Sequence, residues 1–214
     1  NTTGANNTAV GSYALDANTT ASNNTAVGYG ALTENTTGEY NTAIGTNALD
    51  ANTTSSRSTA VGYNCLTVNT AAHMTGVGYE CLKSNTTGEG SVAVGSRALE
   101  FNTTANYNTG VGYEAMQANT TGGYNVALGA FAMEANTTKS SNTAIGAYAL
   151  KTATDSEKCT CVGSEAGYQV TTGDNNTLLG YITGYDMTTG YKNTCVGSMA
   201  GHNITTGHSN IIIG

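Results

Sequence analysis

Few residues in this chain are of a type and spacing that could do chemistry. His73, His202 and His208 fall in or beside turn-rich stretches at unrelated positions. No His-x-His, Cys-x-x-Cys or acidic calcium-loop pattern accompanies them. Cys159-Thr160-Cys161 has the wrong spacing for a zinc knuckle, and its two thiols are expected to face opposite ways. Nothing arranges Ser, His and Asp as a nucleophile relay. The residues therefore predict no enzyme, no metal site and no cofactor.

One chemically loaded motif does recur, Asn-Thr-Thr. Asn1, Asn18, Asn35, Asn52, Asn85, Asn102, Asn119 and Asn136 each open an N-x-Thr sequon. In a secreted protein this would be a row of glycan sites. The competing reading is a structural ladder, with Asn side chains bonding backbone or one another in stacked turns. Val170, Met187 and Ile204 occupy the same slot later in the chain. A glycosylated Asn must face solvent, so that substitution favours the ladder. Asn6, Asn23, Asn175 and Asn203 are sequons off this register and could be modified independently. The paired threonines (Thr2-Thr3, Thr19-Thr20, Thr36-Thr37, Thr53-Thr54) would form rows too. Regular threonine rows are how ice-binding solenoids match a lattice, although these lie in a turn-rich stretch rather than on a flat strand.

What must position these residues is a repeat. Asn24-Thr25-Ala26-Val27-Gly28 recurs in variant form along the whole chain, its glycine falling at 11, 28, 45, 62, 78, 95, 112, 129, 146, 163, 180, 197 and 214. Every interval is 17 residues except the 16 from Gly62 to Gly78. A fixed period of this length signals stacked repeats. Seventeen residues are too few for a strand, a crossover helix and a second strand. They suffice for two short strands and two turns, Thr-Ala-Val-Gly and then Tyr-x-Ala-Leu. The expected fold is therefore an all-β parallel solenoid of about twelve coils, roughly 55–60 Å long at the usual strand spacing.

Counting from the anchor glycine, position −1 is always aliphatic and is expected to be core. Positions −2 and +3 are mostly Ala, and +4 is Leu or Met in nine coils. In the last three coils +4 becomes Gly167, Gly184 and Gly201, while +7 changes from Asn to Val170, Met187 and Ile204. Two slots exchanging size in this way share one volume, which places the Asn slot at least partly inward. Two sub-arrays follow, 1–150 and 151–214, joined at the atypical turn 153–158. Cys65 and Cys81 fall in the +3 Ala slot and Cys161 and Cys195 in the −2 Ala slot, as small buried hydrophobes do. A Cys65–Cys81 bridge one rung apart is sterically conceivable, so their thiol or disulfide state, and that of Cys159, stays open.

Composition narrows the function classes. The chain of 214 residues has 28 Gly, no Pro, no Trp and a net charge of −7. Its seven basic residues are scattered, which disfavours nucleic acid. No apolar run approaches the about 20 residues that span a bilayer, so no membrane insertion is expected within this segment. The sequence begins and stops in repeat phase and lacks an initial Met, and it reads as a segment of a longer chain. One thin coil buries little apolar area, so lateral association into a homo-oligomer is the expected remedy.

Asn-Thr-Ala-Val-Gly-x-x-Ala-Leu, and especially Ser91-Val92-Ala93-Val94-Gly95-Ser96-Arg97-Ala98-Leu99, resembles the head repeat of trimeric autotransporter adhesins. The longer Asn-Thr-Thr-Gly turn is similar instead to arrays in phage tail-fibre-like and bacterial surface proteins that carry a C-terminal endosialidase-type chaperone. The later coils, such as Gly197-Ser198-Met199-Ala200-Gly201, match a second variant of those arrays. The resemblance implies a left-handed β-roll, a homotrimer and an extracellular place on a virion fibre or cell surface. It also implies a non-enzymatic role in projecting a binding surface toward a host receptor or glycan. Variable outward positions, among them Tyr13, Asn47, Glu80, Arg97, Phe131 and Tyr148, are where specificity is expected. A glycan-coated filament and an ice-binding solenoid are the alternatives.

Overall fold

A computed structural model describes residues 2–214. Among them there are thirteen strands of three residues and no helix. The chain divides into two compact units, Asn1–Tyr107 and Asn108–Gly214. The first holds β1 (Thr8–Val10), β2 (Thr25–Val27), β3 (Thr42–Ile44), β4 (Thr59–Val61), β5 (Thr75–Val77) and β6 (Val92–Val94). Each pairs in parallel with the next, every residue opposite its equivalent one coil on, as in Thr8↔Thr25, Ala9↔Ala26 and Val10↔Val27. The second holds β7 (Thr109–Val111), β8 (Val126–Leu128), β9 (Thr143–Ile145), β10 (Thr160–Val162), β11 (Thr177–Leu179), β12 (Thr194–Val196) and β13 (Ile211–Ile213). Its strands pair by the same rule. Each unit is thus a parallel β-solenoid.

There is one strand per coil, not the two expected. Tyr-x-Ala-Leu is a turn, because its residues at +2 and +4 take left-handed backbone: Asn47 and Leu49 have φ of 55° and 51°, Arg97 and Leu99 of 58° and 52°. A strand would send Ala48 and Leu49 to opposite faces. The left-handed Leu instead lets both point inward, and both are fully buried. Position −5 is left-handed as well, as at Tyr40, Arg57 and His73. Hydrogen bonding between coils nevertheless continues through the turns. Leu15 N donates to Ala31 O (3.1 Å), Ala17 N to Thr33 O (2.9 Å) and Gly30 N to Ser12 O (3.0 Å). The ladder runs around most of the coil and satisfies backbone groups that the short strands alone would leave unpaired.

The aliphatic row at −1 is not core. Val10 is 58% exposed, Ile44 40% and Ile145 36%, whereas Ala26, Ala43 and Ala144 at −2 are wholly buried. A strand has two faces, and the narrow coil gives its inner one to the smaller residue. The interior is filled by −2, +3 and +4 together with two polar positions, −4 and +7. In the last coils, a Cβ on Gly167 would lie 2.9 Å from Cys161 Sγ and 3.0 Å from Leu178 Cδ1. On Gly184 it would lie 2.9 Å from Leu178 Cδ1, and on Gly201 2.7 Å from Cys195 Sγ. The volume given up at +4 is therefore shared by +7 and by the enlarged −2 residues.

Candidate functional site

The recurrent asparagines lie inside the coil. Asn18, Asn35, Asn52, Asn69, Asn85, Asn102, Asn119 and Asn136 are all buried, and Asn1 lies outside the described residues. The +7 amides donate to a carbonyl three residues on, Asn35 to Gly38 O (3.0 Å), Asn85 to Gly88 O (2.9 Å) and Asn119 to Gly122 O (3.0 Å). They also donate to the asparagine of the coil before: Asn52 Nδ2 to Asn35 Oδ1 (3.1 Å), Asn102 to Asn85 (2.7 Å) and Asn136 to Asn119 (2.8 Å). A buried amide held this way could take a glycan only if the coil opened.

Sequence reasoning missed a second ladder at −4. Asn24, Asn41, Asn108, Asn125, Asn142, Asn176 and Asn193 are buried too. Asn24 Oδ1 accepts from Asn41 N (2.9 Å), and Asn24 Nδ2 donates to Gly38 O (2.8 Å). Gly38 O thus joins both ladders. The missed signal was the Asn that opens Asn-Thr-Ala-Val, replaced only by the buried Ser58, Met74, Ser91 and Cys159.

The ladders break where the sequence does. Asn136 Oδ1 has no hydrogen-bond partner, because the next +7 residue is Ala153. Asn52 Oδ1 has none either. Asn69, its would-be donor, belongs to the 16-residue coil and turns to Ala71 O, two residues on (2.7 Å). The missing residue of that coil is absorbed in the Asn-Thr-Thr turn, and β4 and β5 keep their register.

The variable +2 residues do not form one site. Tyr13 is exposed and Asn47 Nδ2 donates to Asn64 Oδ1 (3.1 Å). Glu80 is buried in an ion cluster with Lys83 (2.7 Å) and Arg97 (3.9 Å). Phe131 and Tyr148 enter an aromatic run in the second unit. Phe131–Tyr148, Tyr168–Tyr185 and Tyr185–His202 stack with centroids 5.1–5.6 Å apart. Lys151 Nζ lies 5.2 Å from the Phe131 and Tyr148 centroids and 5.8 Å from that of Tyr168. It also pairs with Glu134 (3.4 Å). Burial alone would lower the Lys151 pKa, but the Glu134 carboxylate and the Tyr168 and Tyr148 hydroxyls leave it raised, so the ammonium stays charged.

The five cysteines are buried free thiols. Cys159 and Cys161 both face inward, not opposite ways, because residues two apart share a face of a strand. A hydrogen bond shared with the Cys65 thiol, and burial, push the Cys81 pKa strongly up. Burial raises Cys159 to about 11, Cys161 well above its ordinary value, and Cys195 as well. Thiolate is the reactive form. Iodoacetamide at pH 8 should therefore leave these four thiols of the native protein unmodified, and intact mass should show all five alkylated once denaturant is added.

Among the described residues, no three or more His, Cys, Asp or Glu cluster so as to hold a metal ion, and no helix is long and apolar enough to cross a membrane. His73 and His208 are exposed, and His202 Nδ1 lies 2.9 Å from Asn203 Oδ1. Of the off-register sequons, Asn6, Asn175 and Asn203 are exposed and Asn23 is half-buried. Threonines of these turns stitch coils together, as Thr36 Oγ1 does in donating to Thr53 O (3.0 Å). No protein-family model, curated protein or solved structure matches the chain.

Proposed function

We propose that the chain is a non-enzymatic structural and adhesive segment of an extracellular fibre, on a phage tail or a bacterial surface, which assembles as a homotrimer and presents a binding surface. The observation that carries this reading is the outward strand face. Every coil offers Thr or another β-branched residue at −3 and an aliphatic at −1, which in each unit forms an apolar row that the coils leave half-buried or exposed. Such rows mark surfaces that meet a partner, and identical rows on identical chains can meet about a symmetry axis. The resemblance to adhesin heads points the same way.

Light scattering on the native segment should give three times the 21.7 kDa chain mass. Val77→Asp with Val94→Asp, both on the outward face, should reduce the mass to one chain while leaving the β circular dichroism unchanged. A native monomer would overturn the trimer. It would also favour ice binding, for which the outward strand face supplies a half-buried threonine row at Thr42, Thr59 and Thr75, on strands rather than in turns.

A further inference from the structure

Between Phe131 and His202 the aromatic run of the second unit changes column once. Phe131 and Tyr148 stand at +2 of their coils, whereas Tyr168, Tyr185 and His202 stand at +5. Where the column shifts, Tyr148 and Tyr168 are 6.4 Å apart and tilted by 52°, while the stacked pairs on either side lie within 12° of parallel. Two rings so placed cannot cover each other's faces. An open depression of about 380 Å³ lies there, lined by Tyr148, Lys151, Glu165, Tyr168 and Tyr185. That volume is at the small end of ligand sites, about 300–1,000 Å³.

The lining combines part-covered ring faces, phenol hydroxyls, an ammonium and a carboxylate. Lys151 is already held by Glu134, whereas Glu165 makes no ion pair among the described residues. A carboxylate can accept from two neighbouring hydroxyls at once, an ammonium donates to ring or glycosidic oxygens, and an aromatic face takes the C–H side of a sugar ring. Glu134, Glu165 and Asp186 outnumber Lys151, so the local field opposes an anion. A free ammonium ligand would compete with Lys151 for the same rings.

We infer that this depression binds an uncharged saccharide residue, the terminal sugar of a surface glycan. The inference rests on the fibre reading, since it names what the presented surface recognises. Saturation-transfer NMR tests it on a sample whose oligomeric mass has been measured. The probes are the methyl glycosides of galactose, glucose and N-acetylglucosamine, with that of sialic acid as the anionic comparison. At least one neutral probe at millimolar concentration should receive saturation, and the sialoside should receive less. Tyr168→Ala and Glu165→Gln should each weaken binding about tenfold or more, whereas Tyr63→Ala, in a stacked pair of the first unit, should not. Transfer to no neutral probe, or equal loss on Tyr63→Ala, overturns the site whatever the mass shows. A monomeric mass with specific binding overturns the trimer and leaves the site standing.

Discussion

Gly28→Ala should lower the unfolding free energy by about 4 kcal/mol, the sum of a strained backbone and a forced contact. Gly28 has φ +135°, a conformation essentially closed to residues with a Cβ. A Cβ there would lie 2.5 Å from Gly45 O and 2.7 Å from Gly45 C, both backbone atoms of the next coil. Relief would require the coils to part, and the ladder of hydrogen bonds resists that. Gly30, two residues on, is the control. Its φ of +64° is close to the 55° that Asn47 adopts at the same position a coil later, and a Cβ there would meet only the end of the Asn47 side chain (Oδ1, 2.8 Å), which can turn aside, so Gly30→Asn should cost about 1 kcal/mol. Urea unfolding followed by circular dichroism measures both, and hydrogen exchange should place the first loss in the coils flanking Gly28. Equal small costs would show that the coil spacing stretches freely.

The anchor glycine also shows what the sequence could and could not convey. Its period revealed the stacked coils and the parallel register, because each glycine must meet its equivalent one coil on. The inside and outside of the strand were less legible. Val27 and Ala26 both stand in rows of mostly apolar residues, and a shift of one residue exchanges the faces of a strand. The deciding fact is the narrowness of the coil, which accepts Ala and expels Val, and it appears only once the turns are placed. The adjacent pair Ala31-Leu32 did carry a signal against a second strand. Two neighbouring residues, both apolar in the first nine coils, contradict alternation, and left-handed Leu32 resolves the contradiction (φ 52°). The depression at Tyr148 and Tyr168 was not legible at all. It arises from a change of column between +2 and +5 that only stacking turns into a gap.

Gly184→Leu should destabilise the second unit by about 3 kcal/mol or more, since it overfills a packed site at a left-handed backbone position. A Cβ there already meets Leu178 Cδ1 at 2.9 Å and Cδ2 at 3.0 Å. Converting the whole set to the pattern of the early coils, with Leu178→Ala and Met187→Asn added, should recover most of that loss. Leu at +4 would then sit as Leu32 and Leu49 do, filling the space left by the trimmed −2 residue. Asn at 187 would find the Gly190 carbonyl three residues on, as Asn35 finds Gly38. Its Oδ1 would face Ile204 and go unpaired, as that of Asn136 does beneath Ala153, so about 1–3 kcal/mol should remain lost. Unfolding measurements on the single, double and triple variants give the coupling directly, expected at about 0.5–3 kcal/mol per pair. If Gly184→Leu with Met187→Asn alone recovered as much as the triple variant, −2 would be a bystander and only +4 and +7 would share the volume. If the three changes simply added, the three slots would not share a volume at all.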